Sequence, residues 1–296
     1  MTRPSRTGKP AWLKRRLPTG GSYEKIRKLV ACSGLSTVCQ EAMCPNQFEC
    51  FGKGTATFMI LGDHCTRDCR FCAVQHGPKG PPDPGEPERV AHAVATMQLH
   101  YAVITSVTRD DLPDGGAAHF AATIAAVRKA VPEVLIEVLI PDLQGDLKAL
   151  KTVIDAAPDV LNHNMETVER LYPTVRPQAI YRRSLELLRN VKTIQPKMIT
   201  KSGIMVGLGE TVQELEQLFA DLAAQQCDIL TIGQYLQPSD THLEVARFVP
   251  PEEFDELECK ANAAGFAAVA SAPFVRSSYQ AETLYMQARQ TGANFP

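Results

Sequence analysis

The chain has 296 residues, 44% hydrophobic and 22% charged, a balance that supports a sizeable core and excludes wholesale disorder. Its 31 basic and 33 acidic residues leave a formal charge of −2, which excludes the strongly basic body of a general nucleic-acid binder. No apolar run approaches the ~18 residues of a membrane span, so neither nucleic acid nor a bilayer is an expected partner.

Residues 1–23 carry Arg3, Arg6, Lys9, Lys14, Arg15 and Arg16 ahead of the first acid, Glu24, and read as extended, without a secretory leader. Trp12 with Leu13 reads as an anchor for this segment. The spacing predicts a helix over 23–35, with Ile26, Leu29 and Val30 on one face. Residues 36–54 are dense in Cys, Gly, Pro and Asn and read as a loop held by ligands. Strands are expected over 56–61, 102–107, 134–140, 160–163, 199–206 and 229–232. A Pro-rich connector at 77–85 follows the first of them. Helices are expected over 88–100, 116–130, 145–156, 181–193 and 210–225, with Asp146 or Gly145 and a Thr211–Glu214 capping box at two of the starts. A further helix over 251–264 leads into an apolar run at 266–272.

This alternation favours a parallel sheet with helices outside. Six units fall short of an eight-stranded barrel. The expected fold is therefore α/β, a partial (β/α)6 barrel whose N-terminal and C-terminal extensions cover the open end. Residues 1–53, 54–270 and 271–296 are the expected divisions.

Nine cysteines stand at 32, 39, 44, 50, 65, 69, 72, 227 and 259. An odd count without a leader points to a reducing cytoplasm, where clustered thiols suggest metal. Cys32, Cys227 and Cys259 stand apart from the other six and read as buried, inert thiols. Cys65, Cys69 and Cys72 form C-x3-C-x2-C, with Phe71 before the last. Zinc sites take four ligands in paired knuckles. Three thiolates instead suit an iron–sulfur cubane with one iron left open for a ligand.

Polar residues also gather at the strand ends, where such folds place their chemistry. They include Thr105, Ser106, Asn164 and, further on, Arg176. His163 reads as a hydrogen-bonded structural residue. Gly207-Leu208-Gly209-Glu210 reads either as a plain turn or as a place where backbone approaches an adenine.

The C-x3-C-x2-C spacing resembles that of the radical S-adenosylmethionine enzymes. A second triad, Cys39, Cys44 and Cys50 at C-x4-C-x5-C, precedes it, and Arg276-Ser277-Ser278-Tyr279 stands near the C-terminus. Together with Leu161-Asn162-His163-Asn164-Met165-Glu166-Thr167, these motifs resemble the lipoyl synthases over residues 11–285. The resemblance implies two 4Fe–4S clusters and S-adenosylmethionine. It implies that two sulfur atoms are inserted at C6 and C8 of a protein-bound octanoyl-lysine. The auxiliary cluster is the sulfur donor.

By motif, Cys65, Cys69 and Cys72 would hold the radical cluster, and Cys39, Cys44, Cys50 and Ser278 the donor cluster, with Ser277 as the alternative serine. Phe71, Thr105, Ser106, Asn164 and Arg176 are the candidates to hold S-adenosylmethionine. The partners implied are an octanoylated lipoyl domain of a 2-oxoacid dehydrogenase E2 subunit or the glycine cleavage H protein. A flavodoxin- or ferredoxin-type reductant and an iron–sulfur carrier that rebuilds the cluster are implied as well. The enzyme is expected to be a monomer. Arg182, Arg183 and the basic N-terminus are proposed to face the acidic lipoyl domain, or to form a solvated face. Two other readings remain. A biotin synthase relative would take its second cluster's ligands from barrel strands, and a two-cluster electron carrier would need eight protein ligands.

Overall fold

All six expected strands become neighbours in one sheet, because strands covered on both faces can be apolar throughout. The computed structural model describes residues 10–13, 21–52, 56–77 and 80–292. The basic side chains that precede Glu24, and residues 17–20, lie outside these. At the N-terminal end are α1 (Gly21–Cys32), β1 (Ser36–Thr37), α2 (Val38–Glu41) and α3 (Gln47–Gly52). Strand β2 (Thr57–Ile60) follows, then a two-stranded ribbon of β3 (His64–Cys65) and β4 (Gln75–His76).

Helix–strand units then succeed one another. They are α4 (Glu86–Thr96) with β5 (Tyr101–Ser106), α5 (Ala117–Ala130) with β6 (Leu135–Leu139), and α6 (Leu147–Asp155) with β7 (Val160–Asn162). The short α7 (Tyr172–Val175) and α8 (Tyr181–Ile194) lead to β8 (Ile199–Val206), and α9 (Val212–Ala224) leads to β9 (Ile229–Gln234). Last come α10 (Pro251–Ala264), β10 (Ala268–Ser271) and α11 (Ala281–Gly292).

The sheet order is β1-β2-β5-β6-β7-β8-β9-β10. Every pairing is parallel except β1 with β2, where Thr37 lies opposite Phe58. The barrel is partial, as expected, with β1 and β10 as its edges. The apolar run at 266–272 contributes β10 to it. Two caps form as the sequence indicated. Asp146 accepts from the Lys148 and Ala149 amides, and Thr211 and Glu214 complete a capping box.

The described part of the cysteine-rich stretch, residues 36–52, departs from expectation. It contains two short helices and a strand rather than being only a loop. Apolar packing drives this: Phe51 is fully buried, and the Tyr23 ring lies 5.0 Å from Phe48 and 5.8 Å from Phe51. Pro45 breaks the run between the helices, which hides their periodicity. At the other end of the chain, α11 buries Ala281, Leu284, Tyr285 and Ala288, one helical face that covers the sheet near β10.

Inside the barrel, charge is enclosed and paired. The Lys201 ammonium on β8 donates to both Glu137 oxygens on β6, at 3.0 and 3.1 Å. Asn162 Nδ2 and the Tyr101 hydroxyl complete the carboxylate's shell at 3.0 and 2.7 Å. An enclosed ion pair holds only when its remaining lone pairs are met in this way. No helix among the described residues is long and apolar enough to cross a membrane.

Candidate active site

The C-x3-C-x2-C triad occupies the end of β3 and the loop that leaves it. Cys65 Sγ accepts the Arg67 amide at 3.4 Å and the Thr108 amide at 3.3 Å. Thr66 ties the same loop to the end of β5. Its amide and its hydroxyl both donate to the Thr108 carbonyl, at 2.9 and 3.0 Å. Between the first two cysteines, the buried Arg67 forks onto Asp110 at 2.7 and 3.0 Å and reaches Asp142 at 2.5 Å. Burial pushes the Asp142 carboxyl up, but the hydrogen bond and charge of Arg67 outweigh it and hold the group at about 2.

On the far side, Leu243 N donates to the Arg70 carbonyl at 3.1 Å, and His242 Nε2 lies 3.0 Å from the Cys72 carbonyl oxygen. The loop beyond β9 therefore clamps the last cysteine of the triad. Arg67, Asp142 and His242 were not singled out from sequence. Their partners are 75 and 170 residues away for the Arg67–Asp142 and His242–Cys72 contacts, so no local spacing announces them.

The second triad is placed by the short N-terminal helices. Cys39 lies in α2 and Cys50 in α3, and Cys44 follows α2 with its amide on the Cys39 carbonyl at 3.2 Å. Three long-range contacts bring the C-terminal segment onto it. Asn46 Nδ2 donates to the Phe274 carbonyl at 2.7 Å, the Thr57 hydroxyl donates to Ser278 Oγ at 2.9 Å, and the Tyr279 hydroxyl meets Glu49 at 3.4 Å. Gly233 makes room for this crossing: a Cβ there would sit 2.0 Å from the Val275 carbonyl oxygen.

A cavity of about 520 Å³ joins the two halves. All six triad cysteines, Ser277 and Ser278 line it, as do Phe71, Thr105, Ser106, Asn164 and Arg176. Ser106 Oγ, Asn164 Oδ1 and Arg176 Nε are buried without a hydrogen-bond partner. Buried orphans of this kind call for a polar occupant, and they fit the hydroxyl, amino and carboxylate groups of S-adenosylmethionine.

The other candidates are more committed. The Thr105 hydroxyl donates to the Leu139 carbonyl at 2.8 Å. Arg176 spends one nitrogen on the Asn164 and Met165 carbonyls, at 2.8 and 3.1 Å. Glu166, also on the cavity wall, accepts from Asn164 Nδ2 at 2.9 Å, and burial raises its carboxyl. It stood inside a motif read from sequence but was not picked out there as a site residue.

The thiols suit iron–sulfur ligation. Burial pushes Cys39 and Cys72 up to about 12 and Cys69 up to about 11, so they keep their protons at neutral pH until a metal draws them off. Among the described residues, no three His, Cys, Asp or Glu side chains converge as they would round one ion. A cubane asks for something else, since each thiolate meets a different iron.

Several expectations need correction. Cys227 is buried, but Cys32 and Cys259 are exposed on helix surfaces. Leu13 is buried while Trp12 stays 42% exposed, so Leu13 is the anchor. Gly207-Leu208-Gly209-Glu210 is a turn that caps itself: Glu210 accepts the Gly207 and Leu208 amides at 2.6 and 2.9 Å. Arg183 faces inward to Asp142 at 3.4 Å, leaving Arg182 exposed. His163 is structural, as expected, bridging the Ile140 carbonyl and the Ser184 hydroxyl at 2.9 Å each.

Comparison with known proteins identifies the family. Residues 59–222 match the radical SAM superfamily, and residues 1–44 match the N-terminal domain of lipoyl synthase of the radical SAM family. The chain is 65% identical to a lipoyl synthase of Desulfotalea psychrophila, covering 96% of this chain and 95% of that protein. It is 53% identical to a lipoyl synthase of Thermus thermophilus over 95% of this chain and 88% of that one.

Among solved structures, Streptococcus suis SuiB bound to S-adenosylmethionine aligns with a TM-score of 0.56 at 9% identity, covering 76% of this chain. HydG, a maturase of the [FeFe]-hydrogenase, aligns at 0.57 and 13% identity, covering 78%. The chain spans about half the length of either, 54% and 53%, and these two likenesses concern the fold. The match to whole relatives decides the family: the chain belongs to the lipoyl synthases, within the radical S-adenosylmethionine superfamily.

Proposed function

We propose that this chain inserts sulfur at C6 and C8 of a protein-bound N6-octanoyl-lysine, with Cys65, Cys69 and Cys72 holding the radical cluster. Cys39, Cys44, Cys50 and Ser278 hold the donor cluster in this reading. The observation that carries it is that both cysteine triads and Ser278 line one cavity. Bound there, the clusters and S-adenosylmethionine supply one-electron cleavage to 5′-deoxyadenosine and methionine, hydrogen abstraction at carbon, and the sulfur itself.

The protein's part is position and exclusion of water. Phe71, Ser106, Asn164 and Arg176 hold the S-adenosylmethionine, with Thr105 lending only its free lone pair. The clamps from Asp142 and His242 fix the loop that presents Cys65 and Cys72. Of the two adjacent serines, Ser277 accepts from Asn164 Nδ2 at 3.3 Å, whereas Ser278 meets Thr57. Thr57 adjoins Cys39, since Thr37 lies opposite Phe58 in the β1–β2 pair. This favours Ser278 as the ligand of the donor cluster.

The substrate proteins in this reading are octanoylated lipoyl domains, of 2-oxoacid dehydrogenase E2 subunits or of the glycine cleavage H protein. A flavodoxin or ferredoxin supplies electrons, and an iron–sulfur carrier rebuilds the donor cluster. The enzyme works as a cytoplasmic monomer. Residues 1–53 carry the donor triad, 54–270 form the barrel, and 271–296 bring in the serine.

The test is anaerobic incubation of reconstituted protein with an octanoyl-lysine peptide, a reductant and S-adenosylmethionine, read by mass spectrometry. A peptide with two added sulfurs is the expected product. 5′-Deoxyadenosine without sulfur would overturn the substrate or the donor assignment while leaving the radical triad in place.

A further inference from the structure

We infer that Thr57 is a positioning residue for the donor cluster: its hydroxyl seats Ser278 beside Cys39 so that the serine can serve as the fourth ligand. This rests on the proposed role of Ser278. Thr57 is the first residue of β2, 7% exposed, and lines the cavity. Its hydroxyl donates to Ser278 Oγ at 2.9 Å, across 221 residues of sequence. Its neighbour Phe58 lies opposite Thr37 in the β1–β2 pair, two residues before Cys39. One residue of the barrel thus hydrogen-bonds a serine of the C-terminal segment while its strand pairs with the segment that leads into Cys39.

The geometry explains why a threonine stands here. A serine on the last segment has three staggered χ1 wells, and only a fixed donor selects the one aimed at the triad. Because Thr57 donates to Ser278 Oγ rather than accepting from it, the serine's own hydrogen is not engaged by Thr57. Serine is a hard ligand among sulfides and binds iron less firmly than thiolate. A ligand of that kind depends on preorganisation more than a cysteine does. Asn46 and Glu49 hold the same segment from the N-terminal side, but neither reaches the Ser278 hydroxyl.

Thr57→Val removes the hydroxyl and keeps the β-branch and the amide, and Thr57→Ser keeps the hydroxyl. Reconstituted full-length proteins would be exposed anaerobically to an iron(II) chelator, with S-adenosylmethionine present to cover the radical cluster. Iron release from Thr57→Val is expected to be about five-fold faster than from the unaltered protein, the factor that one neutral hydrogen bond is worth. Thr57→Ser should match the unaltered protein. In the metal-free proteins, hydrogen exchange of residues 274–280 should rise in Thr57→Val alone.

Ser278→Ala separates the two layers of the argument. Fast release from Ser278→Ala with unaltered release from Thr57→Val would overturn the role of Thr57 and leave the serine assignment standing. Unaltered release from Ser278→Ala would overturn the serine assignment and the inference with it. Equally fast release from Thr57→Ser and Thr57→Val would also overturn the inference, since packing rather than the hydroxyl would then be at work.

Discussion

Cys69→Ala is expected to yield no 5′-deoxyadenosine and no sulfur insertion, whereas Cys39→Ala is expected to keep cleaving S-adenosylmethionine and still insert no sulfur. The two triads sit on separately braced segments, which is why the losses should come apart. Residues 65–72 are stitched to the ends of β5 and β9, and residues 39–50 to residues 274–279. Each loss should exceed the roughly 100-fold that removal of a supporting hydrogen-bond partner costs at a metal site. Iron counting with chromatography of 5′-deoxyadenosine checks both arms. 5′-Deoxyadenosine from Cys69→Ala, or sulfur insertion by Cys39→Ala, would refute the division of labour.

Asp142→Asn should be the most destabilising single change at the site that leaves every proposed cluster ligand intact. Its carboxylate is fully buried against Arg67, and it also accepts the Gln144 amide at 3.1 Å. Arg67 keeps its fork onto Asp110, so the change weakens a buried charge-assisted contact rather than stranding a charge, at a cost of about 1–3 kcal/mol. For a chain of this size that is a fall in melting temperature of about 5 °C.

The pH dependence follows from the carboxyl being held at about 2, below its value of about 3.9 in an unfolded chain. The folded state gains stability from it above about pH 4. That contribution is lost as pH falls toward 2, because the unfolded chain takes up its proton first. Melting curves from pH 5 downward should therefore converge for the variant and the unaltered protein. A constant gap down to pH 2 would place the effect in packing instead.

Much of this was legible before any coordinates. Period and strand-length apolar runs gave the six central strands and most of the helices that cover them. The triad spacings singled out the six cysteines that now line one cavity, because ligand sets recur at short sequence distances. What escaped has physical causes. The helices around Cys39 and Cys50 are 4 and 6 residues long, too short to show a period. Helix α11 had its face at Ala281, Leu284, Tyr285 and Ala288, but small and polar neighbours diluted it. Thr57, Arg67, Asp142 and His242 act through partners far along the chain, and nothing local distinguishes them from ordinary strand and loop residues. Gly207 was ambiguous for the opposite reason: a glycine turn looks the same whether its amides serve a ligand or a neighbouring carboxylate, and here Glu210 takes them.

The crossing of the C-terminal segment over Gly233 also sets a timetable for biogenesis. The contacts that hold residues 274–279 against residues 46–57 span 228, 221 and 230 residues, and contacts so distant in sequence are slow to form. At translation rates of about 5–20 residues per second, roughly 10–50 s separate the synthesis of Asn46 from that of Phe274. A nascent chain therefore presents Cys39, Cys44 and Cys50 well before Ser278 is made. In the proposed reading, a full set of donor-cluster ligands therefore awaits the synthesis and docking of residues 274–279, long after the three cysteines have been made.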